Sequence, residues 1–176
     1  YIITIFLRTH YLYSGAGEII GTKLERIEEI SANTRKSEFT SLYHHIDNEM
    51  FKQCHRELDG NKAVGIDKVT KAEYEVNLEG NISNLVKRLK NKSYKPLSSL
   101  RVFIPKGNGK RRPLGIASYE DKIVQFAVKK ILEAIYEPRF LRNMYGFRPR
   151  RGCHDAIKEI HNRMYSGKIN YVVDAD

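Results

Sequence analysis

The sequence predicts an α+β fold: mostly amphipathic helices, one short antiparallel β-hairpin, and the start of a strand at residues 170–176. Three observations carry this. Apolar residues recur at three- and four-residue steps through most of the chain, the spacing that lines one face of a helix. The period changes at residues 101–116, where two β-prone runs flank a glycine-containing turn. The composition, 41% hydrophobic and 30% charged over 176 residues, fits one ordinary domain or a large piece of a bigger one and argues against general disorder.

Residues 1–22 read as an N-terminal extension of unknown role. Their apolar run, residues 1–7, is too short to span a bilayer, and no convincing signal peptide is present. A chain that opens on Tyr1 rather than Met is expected to have been processed or cut. A short helix is expected around residues 24–30. A stronger one spans residues 37–58, where Phe39, Leu42, Tyr43, Ile46, Met50, Cys54 and Leu58 form one stripe. His44, His45 and His55 fall in this helix and are assigned no chemistry.

Residues 59–61 and 65–67 read as turn or loop. Thr70 and Glu73 make a capping-box pair that opens the next helix. Its stripe is Tyr74, Leu78, Ile82, Leu85, Val86 and Leu89, with Gly80 as a weak point. Residues 94–100 are expected to be extended. The strands 101–105 and 112–116 then pair across Lys106-Gly107-Asn108-Gly109-Lys110-Arg111. Ser118 and Asp121 are candidate caps of a long helix that buries Ile123, Ala127, Ile131 and Ile135 and stops at Pro138. A loop through Gly146-Phe147-Arg148-Pro149 leads to a helix near Gly152 with Ala156, Ile157, Ile160 and Met164 on one stripe. No internal repeat, low-complexity tract or interdomain linker is evident.

The net charge of +10 and pI of about 9.6 are unevenly placed: residues 101–151 hold thirteen Lys/Arg against four Asp/Glu, a net of +9. Such a stretch suits a partner with dense negative charge, nucleic acid first, or else makes a solvated basic surface. Cys54 and Cys153 form no disulfide framework and read as reduced thiols of an intracellular protein. Cys153-His154 lacks the second ligand pair that zinc needs.

The hairpin has the most specific chemistry. Its turn lets backbone approach a ligand, and Lys106, Lys110, Arg111 and Arg112 can reach the oxygens of a polyphosphate or a strand backbone. As a bare pattern it also reads as an exposed turn with solubilising charge. In the terminal strand, alternation puts Asp174 and Asp176 on one face, which by itself suggests a paired-carboxylate metal site.

The wording of these segments resembles a family. Arg101-Val-Phe-Ile-Pro-Lys-Gly-Asn-Gly-Lys-Arg-Arg-Pro-Leu-Gly-Ile116 is similar to the first fingers block of group II intron reverse transcriptases. Glu120-Asp-Lys-Ile-Val-Gln125, Tyr136-Glu-Pro138 and Tyr145-Gly-Phe-Arg-Pro-Arg-Arg-Gly-Cys-His154 are similar to the second. Gly65-Ile66-Asp67 and Asn77-Leu78-Glu79 with Ile82 resemble their N-terminal block. The likeness covers roughly residues 23–176, in order. Retron, diversity-generating and defence reverse transcriptases share the general fold; the N-terminal block and the Arg-Pro-Leu-Gly run favour the intron class.

The resemblance implies the mostly helical fingers of a right-hand polymerase over residues 23–170 and the first palm strand at 171–176. It implies that Lys106 and Arg112 contact the triphosphate of an incoming dNTP, and that Lys110 and Arg111 assist or hold template backbone. Arg148, Arg150 and Arg151 would pair RNA phosphates, and Phe147 or Tyr145 would stack on a base; an aromatic beside a helix start, Phe147 here, also reads as core. His154 and Asp155 read as structural. Asp176 falls at the position of the family's catalytic, metal-binding aspartate, whereas the Asp174 position is not a ligand. In the family that aspartate holds two Mg²⁺ ions with a downstream aspartate pair. No Tyr-x-Asp-Asp run occurs here, so these residues alone are expected not to polymerise DNA. Two roles follow: part of an RNA-directed DNA polymerase, or an RNA-binding maturase module that assists splicing. The implied partners are intron RNA, primer-template and dNTP, without a membrane, in the cytoplasm.

Overall fold

The computed structural model describes residues 16–173 apart from 35, 108, 168 and 170. Asp174 and Asp176 lie outside the described residues, as does most of the N-terminal extension. Among the described residues six α-helices and one hairpin follow in order: α1 (Ala16–Asn33), α2 (Asn48–Glu57), α3 (Lys71–Glu75), α4 (Leu78–Lys90), β1 (Leu100–Pro105), β2 (Arg111–Ile116), α5 (Tyr119–Tyr136) and α6 (Cys153–Ser166).

Helix α5 organises the core. Its first half buries Tyr119, Ile123 and Ala127 against Met50, Phe51 and Cys54 of α2, Tyr74 of α3 and Ile82, Leu85 and Val86 of α4. Its second half buries Ile131, Ala134 and Ile135 against Ile27 of α1, with Phe39, Leu42 and Ile46 packed beside them. Arg139, just past α5, ties the last turn of α1 and the chain after it to this end. Its Nε donates to Ser31 Oγ at 2.8 Å and its Nη2 to Ser37 Oγ at 2.7 Å.

The caps explain where helices begin. Ser118 opens α5 by accepting from the Asp121 N–H. Thr70 and Glu73 form the expected capping box, a reciprocal pair that satisfies two otherwise orphaned donors. The helix expected over residues 37–58 is shorter. Asp47, held at 2.9 Å by Lys23, accepts from the Met50 N–H and starts α2 there. Upstream, only residues 43–45 form a 3-10 turn. Phe39, Leu42 and Ile46 still meet the core, so the stripe reported burial correctly without reporting helix. The expected helix from Thr70 is likewise divided: Asn81 Nδ2 bonds the Tyr74 carbonyl at 2.9 Å across the break between α3 and α4. Helix α1 runs well beyond the expected 24–30.

The terminal strand expected over residues 170–176 is not seen where it can be described: residues 171–173 lie in no regular element. Helix α6 forms, but Ile157, Ile160 and Met164 remain 51–62% exposed. Among the described residues, no helix is long and apolar enough to cross a membrane, and both cysteines are free. Burial pushes the Cys54 thiol up to about 12, which keeps it unreactive.

One buried histidine links stability to pH. His55 is 2% exposed; its Nδ1 pairs with the Tyr119 hydroxyl at 2.9 Å, and its Nε2 has no hydrogen-bond partner. Burial first, then the Lys71 charge, lowers its pKa, against an opposing pull from Glu75. His45 shifts the same way, again chiefly through burial. A depressed histidine pKa means the unfolded chain binds more protons in the acid range, so stability is full above the ordinary histidine value and falls as pH drops through the folded one. The urea midpoint is therefore expected to be lower at pH 5.5 than at pH 7.5, and His55→Gln should flatten that difference. A midpoint that rises on acidification would contradict this account.

Candidate nucleic-acid interface

The hairpin stands clear of the helical body. The strands pair antiparallel with Leu100 opposite Ile116, Val102 opposite Leu114 and Ile104 opposite Arg112. At the tip the Lys106 N–H donates to the Lys110 carbonyl at 2.6 Å and the Gly109 N–H to the Lys106 carbonyl at 3.1 Å. Gly109 takes a φ of +74°, a left-handed value that a side chain resists. Asn108 lies outside the described residues.

Strand alternation sorts the cations onto two faces. Arg112 shares a face with Leu100, Val102, Ile104, Leu114 and Ile116. Arg111 lies on the other, with Arg101, Phe103, Pro105 and Pro113. The register thus sets Arg111 and Arg112, adjacent in sequence, on opposite faces. Lys106, Lys110, Arg111 and Arg112 are all exposed. Among the described residues Lys106, Arg111 and Arg112 have no ion-pair partner.

The loop between α5 and α6 is the second cationic feature, and there Arg148, expected at RNA phosphate, is turned toward the chain itself. Its side chain is 7% exposed and pairs with Glu137 at 2.7 Å. Its Nη1 donates to the carbonyls of Leu141 and Met144, each at 2.9 Å, and its guanidinium lies 5.1 Å from the Phe140 ring centroid. With these donors engaged internally, Arg148 holds the loop together. Arg151 is partly engaged too, bonding the Arg142 carbonyl and lying 5.5 Å from the Tyr145 ring centroid. Tyr145 is half-buried, and its hydroxyl donates to Glu159 at 2.8 Å. That bond raises the Tyr145 pKa and, with Arg163, lowers that of Glu159.

The loop presents Phe147 and Arg150 outward, among other exposed residues such as Arg142. Phe147 is fully exposed and packs into no core among the described residues. Both residues have positive φ, +56° and +60°, a conformation that non-glycine residues hold only when their surroundings fix it. The Arg148 contacts supply that fixation. No local pattern signals this exposure, because an aromatic beside a helix start reads equally well as core. Asp155 accepts from the Gly152 N–H at 2.9 Å and is structural as expected. Asp176, the expected metal ligand, lies outside the described residues. Among those described, no three His, Cys, Asp or Glu side chains are grouped to hold a metal.

No family model matches the chain, but known proteins do. Over 155 residues, 87% of its length, it is 35% identical to the group II intron-encoded protein LtrA of Lactococcus lactis subsp. cremoris. The chain is a homologue of the group II intron-encoded proteins. Two further relatives match shorter stretches. One is protein YkfC of Escherichia coli strain K12, 43% identical over 54% of this chain and 25% of its own length. The other is nuclear intron maturase 2, mitochondrial, of Arabidopsis thaliana, 41% identical over 31% of this chain and 7% of its own length. This homologue of intron-encoded proteins spans 26% of the length of the Lactococcus protein.

Proposed function

We propose that the chain is the fingers portion of a group II intron reverse transcriptase, an RNA-directed DNA polymerase, and that it holds template RNA and incoming dNTP. The observation that carries this is the hairpin: two paired strands project a cationic tip from a helical body, in a homologue of intron-encoded proteins. Lys106 and Arg112 take the triphosphate, where fixed cations offset its charge and align the reacting group. Arg111, on the opposite face, and Lys110 take template backbone. Arg150 pairs a template phosphate beside the base that stacks on Phe147.

Asp176 supplies one ligand to a magnesium centre whose other carboxylates come from downstream palm sequence. Primer extension with these 176 residues, dNTPs and Mg²⁺ is accordingly expected to give no template-dependent product; such a product would overturn this part of the reading. An RNA-binding maturase role is the second reading, favoured by the name of the Arabidopsis relative and by a loop that needs no nucleotide to grip RNA.

The template grip is tested by binding. Base–aromatic stacking contributes about 1–3 kcal/mol, so Phe147→Ala should weaken single-stranded RNA binding at least about fivefold. The salt dependence should persist, because the phosphate contacts remain. Equal affinity of the variant and the unaltered chain would remove Phe147 from the interface.

A further inference from the structure

We propose that Asp121 is the positioning residue of the hairpin, one buried carboxylate that fastens both roots of the hairpin to the helical body. Leu97 precedes β1 by three residues and Ser118 follows β2 by two, so they mark where the hairpin leaves the body and where it returns. Asp121, in the first turn of α5 and 3% exposed, reaches both. Its Oδ2 accepts from the Leu97 N–H at 3.0 Å and from the Ser118 hydroxyl at 2.7 Å. Its Oδ1 accepts from the Tyr94 hydroxyl, securing the strand approach a little further upstream. Beside it, Glu120 pairs with Arg88 of α4 at 2.6 Å, which joins α5 to the helix that precedes the hairpin.

The position matters because the hairpin is a lever. A six-residue strand is ~20 Å long, so a swing of about 10° at the root moves the tip by ~3 Å. Among the described residues the strands show no second buried carboxylate of this kind, and Val102, Phe103 and Leu114, beyond the root, are exposed. Misplacing a reacting group by about 1 Å can lower a rate about a hundredfold. The consequence for Lys106 and Arg112 rests on the nucleotide-binding role proposed above, whereas the fastening itself does not.

The experiment measures the hairpin directly. Spin labels at Gly107→Cys, where a side chain meets open space, and at Gln125→Cys on α5 report their separation in the full chain, with Cys153→Ser removing the exposed native thiol. The Asp121 parent should give one narrow distance distribution. Asp121→Ala should broaden it at least twofold, while the helical circular dichroism is retained. Asp121→Asn, which keeps an acceptor oxygen, should fall between the two. An Asp121→Ala distribution as narrow as the parent's, at the same mean, would overturn the proposal, even if the melting temperature falls. Where Asp121→Ala does not fold, Asp121→Asn and Tyr94→Phe decide: broadening in both supports the fastening, and no change in either refutes it. A hairpin loosened by Asp121→Ala with unchanged dNTP kinetics in the full-length protein would uphold the fastening and contradict the nucleotide-binding role.

Discussion

In the full-length protein, Arg112→Ala is expected to raise the KM for dNTP about ten- to a hundredfold while template affinity changes by less than about twofold. The size follows from the bond at stake: a charge-assisted contact between a guanidinium and a phosphate is worth about 1.5–3 kcal/mol. The selectivity follows from the register, which sets Arg112 opposite Ile104 and across the sheet from Arg111. Removing Arg112 therefore leaves the opposite face intact. Arg112→Lys should fall between the two, because an ammonium keeps the charge and loses the planar fork. Steady-state extension with varied dNTP, alongside template binding, checks this, and unchanged nucleotide kinetics would remove Arg112 from the role.

Gly65→Ala is expected to lower stability by about 1–3 kcal/mol, the usual effect of forcing an added methyl into packed structure. A Cβ at Gly65 would lie 2.6 Å from Ser118 Cα and 2.7 Å from the Ala117 carbonyl oxygen. Those neighbours are backbone at the root of the hairpin, so no side chain can turn aside to make room. The loop around Gly65 is also held there by Lys122 Nζ, which donates to the Ala63 carbonyl. Gly107→Ala is the control: nothing lies within 4 Å of the added carbon, and its effect should stay within about 0.5 kcal/mol. Urea midpoints measure both, and equal midpoints for the two variants would show that the Gly65 approach is not tight in solution.

Local physics made much of the fold legible. The capping box at Thr70 and Glu73, the Ser118 cap and the change of period at the hairpin each depend on residues a few positions apart. Periodicity failed where it had to distinguish burial from helix: Asp47 starts α2 in the middle of a continuous apolar stripe. It failed in the opposite sense at α6, whose stripe forms a helix face with no cover among the described residues. At the candidate interface, sequence marked the cationic tip but could not show which cations point outward. Arg148 is committed to Glu137, eleven residues away, and Asp121 to Tyr94, twenty-seven residues away. Both uses depend on how helices and loops meet, which no local pattern encodes.

The most direct test of the central claim, that the hairpin and the loop between α5 and α6 form the nucleic-acid interface, is photo-crosslinking of single-stranded RNA bearing 4-thiouridine to the chain, mapped by mass spectrometry. Crosslinks are predicted at Phe147 or Arg150 and on the hairpin, diminishing with added salt. Crosslinks confined to the α2–α4 surface, or none at low salt, would contradict it.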